Sequence, residues 1–93
     1  RPAGIVVVAA IDTSIGQVVS GPDIVSRGFV YVRESEELME EARQILLDTL
    51  QHCSAQELKE WGTLKNKLRD VLSDYIYGKT KRSPMILPII MEV

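Results

Sequence analysis

A chain of 93 residues, 45% hydrophobic and 26% charged, has the size and make-up of one folded domain with a modest core. Its net charge of −2 excludes a chain-wide attraction to nucleic acid or anionic membrane, so binding of either would need a local basic patch. The single Cys53 excludes an intrachain disulfide, no apolar run approaches the roughly 20 residues of a membrane span, and no signal-peptide layout opens the chain. A reducing cytoplasm is the expected setting. The start at Arg1-Pro2, without an initiator Met, leads us to expect a piece of a longer protein.

In chain order, Gly4–Asp12 is a nearly unbroken apolar run. Three consecutive valines favour a strand over a helix, because β-branched side chains pack well on a pleated surface. Asp12-Thr13-Ser14-Ile15-Gly16 collects turn formers, with Gly16 available for a positive φ, which predicts a hairpin. The return strand starts at Gln17-Val18-Val19. It is expected to bulge at Gly21-Pro22-Asp23, since Pro22 has no N–H for the ladder. From there it is predicted to run through Ile24–Arg33, the longest stretch of strand-like alternation.

At Ser35 the period changes. Leu38, Ala42, Ile45, Leu46, Thr49, Leu50 and Cys53 recur at helical spacing. Ser35 suits an N-cap, and Glu36, Glu37, Glu40 and Glu41 crowd the turns where the helix dipole favours negative charge. Ser54-Ala55-Gln56-Glu57 has the form of a capping box and should open a second helix, over Glu57–Tyr77. Its stripe is Leu58, Trp61, Leu64, Leu68, Val71, Leu72, Tyr75 and Ile76, with Gly62 its weak point and Gly78 its expected C-cap. Met85–Val93 closes the chain as a third strand, placed at an edge by Pro88. The Gly4–Asp12 strand, the most apolar, belongs in the centre, and a return through two antiparallel helices makes the last strand parallel to it if they are neighbours. The predicted fold is α+β, a two-layer sandwich in the order β-β-α-α-β. Its three-stranded mixed or antiparallel sheet packs against two antiparallel helices, as one domain over residues 1–93.

Two helices, each with one apolar stripe, cover one face of such a sheet, yet the strands are apolar on both faces. On Ile24–Arg33, alternation sends Ile24, Ser26, Gly28, Val30 and Val32 one way and Val25, Arg27, Phe29, Tyr31 and Arg33 the other. The second set mixes aromatic, aliphatic and arginine side chains, as interfaces do. Val25, Phe29, Tyr31, Ile86 and Ile90 are the expected interface residues, meeting another copy of the domain or the rest of a parent protein. The alternative is an irregular strand whose twist hides them.

Little in the chain points to catalysis. His52 is the only histidine, so neither a His-rich zinc site nor a Ser-His-Asp system needing another His can be assembled. His52 and Cys53 stand about 100° apart around a helix, poor geometry for a shared metal; an exposed His52 beside a buried Cys53 is the plainer reading. Gly16, Gly21 and Gly28 lack the spacing of a phosphate-binding loop. No catalytic residue and no metal ligand is assigned. The basic set is Arg27 and Arg33 on one strand face near Phe29 and Tyr31, and Lys79, Lys81 and Arg82 in one loop. It could combine phosphate contacts with base stacking on RNA, or be a solvated loop with interface arginines.

Two long motifs carry a family resemblance. Gly21-Pro22-Asp23-Ile24-Val25-Ser26-Arg27-Gly28-Phe29-Val30-Tyr31-Val32-Arg33-Glu34-Ser35 resembles the C-terminal domain of bacterial ribonuclease J, and so does the ending from Lys81 to Val93, with helices between that fit the same layout. The resemblance implies an accessory domain beside an upstream metallo-β-lactamase core with an inserted β-CASP domain. That core hydrolyses RNA endonucleolytically and from the 5′ end at a two-metal His/Asp site, where zinc is expected. None of those metal-binding motifs is in this chain, so no cofactor is expected here. The expected role is oligomerisation and support of the nuclease core, with self-association or the core as partner, RNA contact through the parent, and no membrane. An RNA-binding module is the alternative.

Overall fold

The apolar run Gly4–Asp12 forms β1, the middle strand of a three-stranded sheet ordered β2-β1-β3, with β2 over Gln17–Arg27 and β3 over Met85–Glu92. The computed structural model describes the backbone of residues 4–27 and 32–93 and the side chains of residues 4–27 and 36–93. β2 lies antiparallel to β1, and β3 lies parallel to it, as the return through helices requires. Pro88 pairs with Val7 on the edge strand, where its missing N–H can face away from the ladder.

The hairpin closes where turn formers cluster. Gly16 adopts φ 65°, and its N–H donates to the Asp12 carbonyl at 2.8 Å. Beyond it, β2 gains one residue on β1 between Val8 and Ala10 and another between Ala10 and Ile11, so the expected bulge is doubled. The Gly21–Pro22 peptide is cis, Gly21 sits at φ 89°, and Pro22 is fully buried.

Three helices follow: α1 over Val32–Gln51, α2 over Ala55–Lys59 and α3 over Trp61–Thr80. The helical start lies earlier than expected. Val32 and Arg33 belong to α1 rather than to the Ile24–Arg33 strand, and Ser35 stands inside the helix instead of capping it. The second helix is also divided. The capping box forms as predicted, with the Glu57 N–H donating to Ser54 Oγ at 3.1 Å and the Ser54 N–H to Glu57 Oε1 at 2.8 Å. It opens only a single turn, however. Glu60 at φ −95°, ψ 77° breaks the path, its N–H returning to the Glu57 carbonyl while its own carbonyl starts α3 by accepting from Leu64. The weak point is therefore Glu60 and not Gly62. Gly78 stays helical, and the left-handed C-cap is Lys81 at φ 59°.

The core lies between one sheet face and the helices. Ile5, Val7, Ala9 and Ile11 of β1 alternate inward to meet Ala42, Leu46 and Leu50 of α1, Leu58 of α2, and Leu64, Leu68, Leu72 and Ile76 of α3. Helix α1 packs on β2 and on α3, and α3 packs on β3. Glu41, midway along α1, pairs with Lys79 near the end of α3, while Cys53, just beyond the end of α1, lies near Lys67 early in α3, so the two long helices are antiparallel. The α+β sandwich predicted from the sequence is the fold observed.

Candidate functional site

The side of the sheet away from the helices is a regular array, because registered neighbours on adjacent strands share a face. Crossing from β2 through β1 to β3, its rows are Arg27–Gly4–Met85, Val25–Val6–Leu87, Asp23–Val8–Ile89 and Ser20–Ala10–Met91. Its edge-strand apolar members stand open to solvent, Val25 at 63%, Met85 at 72%, Leu87 at 54%, Ile89 at 38% and Met91 at 51% exposure, while Val6 and Val8 of β1 are half-buried and Ala10 is buried. Contiguous apolar surface of this kind marks interaction sites on soluble proteins. At one end it dips into an open hollow of about 510 Å³ over Gly4, bordered by Val6, Val25, Arg27, Met85 and Leu87. The missing side chain of Gly4 makes the dip.

Only the β2 side of the array carries charge. Asp23 and Arg27 are both exposed and flank Val25, one on each side along the strand. Asp23 also acts electrostatically on Arg43 of α1, whose guanidinium pairs with Glu40 at 3.0 Å. Arg27 makes no ion pair with another described residue.

The expected interface residues divide. Val25 lies on the open face. Ile86 and Ile90 are 8% and 7% exposed and belong to the core under the helices. On β3 the open face is therefore presented by Met85, Leu87, Ile89 and Met91. Phe29 and Tyr31 lie outside the described residues. Side-chain type separates the two sets only in part: Met85, Leu87 and Met91 suit an adaptable contact surface and branched Ile86 and Ile90 flank the buried Pro88, but branched Ile89 lies on the open face. Asp23 escaped notice because it reads as a turn residue after Gly21-Pro22.

Of the basic residues, Arg27, Lys79, Lys81 and Arg82 come to the same end of the sheet, since Arg27 pairs across Gly4 with Met85, just after the loop. They do not form one open cluster. Lys79 Nζ lies 3.4 Å from Glu41 Oε1 and 5.9 Å from the Tyr75 ring centroid, while Lys81 Nζ lies 5.2 Å from the Tyr77 ring. The side chain of Arg33 lies outside the described residues. Between α1 and α3 the Tyr75 hydroxyl donates to the Glu41 carboxylate. That bond and then the Lys79 charge hold Glu41 below the usual carboxylate range, while burial and then Glu41 push the Tyr75 phenol up. This cluster joins the helices and was not foreseen.

His52 is exposed, its Nδ1 2.8 Å from the Asp48 carbonyl. Half-buried Cys53 donates from Sγ to the Thr49 carbonyl at 3.3 Å, and burial raises its thiol. Among the described residues no group of three His, Cys, Asp or Glu side chains could hold a metal ion, and no helix is long and apolar enough to cross a membrane.

Comparison with known proteins agrees with the layout. The ribonuclease J C-terminal domain family matches residues 3–93. The chain is 47% identical over 89 residues to ribonuclease J2 of Bacillus subtilis strain 168, covering 96% of this chain and 16% of that protein. It is 40% identical over 88 residues to ribonuclease J 2 of Staphylococcus epidermidis strain RP62A and 39% identical over 88 residues to that of Staphylococcus aureus strain NCTC 8325, covering 95% of this chain and 16% of each relative. The chain thus spans about 16% of the length of these relatives.

Proposed function

The chain belongs to the ribonuclease J C-terminal domain family, and on that premise we propose that it is a non-catalytic accessory domain of a cytoplasmic, RNA-processing and RNA-degrading ribonuclease. The parent cuts RNA internally and from its 5′ end at a zinc-dependent core, and this domain assembles subunits and sustains full turnover. The described residues do not fit a catalytic metal, so no chemical step is assigned to them. The observation that carries the reading is the open sheet face of Val25, Val6, Leu87, Val8, Ile89 and Met85. Covering a face like this removes apolar surface from water at about 25 cal/mol per Å². That gain, rather than any polar chemistry, is what the domain offers a partner.

Removing the segment from the parent enzyme tests the proposal. We expect a lower mass in solution and slower RNA turnover, with the residual activity still depending on the core's metal. Unchanged mass together with unchanged turnover would refute it. An RNA-binding role has one observation in its favour, the gathering of Arg27, Lys79, Lys81 and Arg82 at one end of the sheet. It predicts salt-sensitive RNA binding by the chain alone, lost on charge reversal of Lys81 and Arg82. The engagement of Lys79 by Glu41 makes assembly the stronger reading.

A further inference from the structure

The outer edge of β2 offers a second surface, at the other end of the sheet from Gly4. Ile11 and Val18 are registered partners there, and the Ile11 carbonyl accepts from the Val93 N–H at 3.0 Å. The bonding groups of Ile11 are thus turned toward β3. In an antiparallel pair this leaves Val18 in a non-hydrogen-bonded position, its own N–H and C=O directed outward from the sheet. Among the described residues no other element's backbone bonds to them. Beside this edge lies an open hollow of about 620 Å³, with Leu47 and Leu50 of α1 and Leu58 of α2 as its apolar wall and Gln17, Ser20 and Gln51 at its polar margin. Exposed edges are normally guarded by charge, proline or a bulge. β3 carries Pro88 midway and Glu92 at its end, and β2 carries Pro22, Asp23 and Arg27 in its later half. Gln17-Val18-Val19 has neither charge nor proline, and only the bulge between Val18 and Ser20 limits its length.

We propose that this edge and its hollow take up an uncharged extended peptide segment of a partner protein, added beside β2 as a short fourth strand. A residue in register with Val18 shares its face, so its side chain points toward the helices and into the hollow walled by Leu47, Leu50 and Leu58. Its backbone takes up the Val18 N–H and C=O, and an aliphatic or aromatic side chain there leaves water for the apolar wall. Main-chain bonds supply the attachment and the hollow supplies the selection. Charge complementarity narrows the occupant further. Among the described residues no charged side chain lines the hollow, so a charge on the inserted residue would be buried unpaired. A second copy of the chain does not fit this edge. Helix α1 packs on β2, so joining two β2 edges would set two α1 helices roughly 5 Å apart, where packed helices need about 8–10 Å. The site is separate from the open sheet face and does not depend on what covers that face.

The chain encloses its own core, so the test can use all 93 residues. The probes are short end-blocked peptides that alternate threonine with valine, leucine or phenylalanine, titrated to about 5 mM while backbone amide shifts are followed by NMR. Two backbone bonds and one inserted side chain make for weak binding, with a Kd on the order of 1 mM for the best of them. Saturable shifts are expected at Gln17–Ser20, Leu47 and Gln51, and not along Met85–Met91. N-methylating the peptide amides on one edge, or placing glutamate at the inserted position, should each weaken binding about tenfold or more. Leu47→Glu should do the same, with a thermal melt to check folding. Gln51→Glu, at an exposed helix position, repeats the charge test without touching the core. No saturable shift from any of the peptides at about 5 mM overturns the proposal. Equal binding by the N-methylated peptide shows apolar adhesion without an added strand and overturns it too, as do shifts confined to Met85–Met91.

Discussion

At the scale of single residues, the glycines separate into those the backbone needs and those it tolerates. A Cβ on Gly16 would lie 2.5 Å from the Ala55 side chain at φ 65°, and one on Gly21 would lie 2.6 Å from the Val8 carbonyl oxygen at φ 89°. Gly62 has nothing within 4 Å of the same position and sits in the first turn of α3. Gly16→Ala should therefore lower stability by more than about 1 kcal/mol, whereas Gly62→Ala should raise it by roughly 0.5–1 kcal/mol, both read from urea midpoints. Titration gives a second residue-level expectation. Asp12 is held below its usual range first by the Ser14 hydroxyl, Glu57 by the Ser54 backbone N–H, and Glu41 by Tyr75. A carboxylate whose folded value is depressed stabilises the fold above its ordinary range of about 4, and loses that contribution as pH falls through the lowered value. Stability should be level between about pH 5 and pH 8, decline below about pH 4.5, and fall again at alkaline pH, where the unfolded chain ionises Cys53 and Tyr75 more readily than the fold does. Glu41→Gln should flatten part of that decline while lowering stability at pH 7. Position 16 was legible in the sequence. The side of β3 that meets the helices was not, because Met85–Met91 is apolar at both parities and alternation alone gives no sign.

At the scale of elements, what was legible depended on how many signals agreed. Valine-rich Gly4–Asp12, the turn formers after it and the capping box at Ser54 each had local chemistry and hydrophobic period pointing the same way. Two boundaries went astray where local signals competed. Val32 and Arg33 extend the strand alternation, but they also precede the acidic run of Glu34, Glu36 and Glu37, which favours a helix start, and the helix prevails. Leu58 to Ile76 carries one uninterrupted stripe in the sequence, yet the chain turns at Glu60, with Leu58 and Leu64 on either side of the turn both in the core. Since the short α2 depends on its cap, Ser54→Ala should cost about 1 kcal/mol, leaving the sheet intact and raising amide exchange first in residues 55–60.

For the whole molecule, the order β-β-α-α-β determines which surface is left for a partner. Both long helices lie between β2 and β3 in sequence and fall on the same side, so one sheet face is sealed and the other is open. The surplus of apolar strand residues was visible in the sequence as more than two helical stripes can cover. The row-by-row arrangement that sets Arg27 and Asp23 about Val25 needed the strand register. Leu87 stands at the centre of the β3 side of that face, 54% exposed and outside the core cluster, which makes it the most discriminating position. The direct measurement is the mass in solution of the parent ribonuclease with Leu87→Glu, beside the native enzyme and with the domain's folding checked. A smaller assembly with slower RNA turnover is the predicted result. An assembly of native mass and native turnover, with the charge buried nowhere and felt by nothing, would contradict the account.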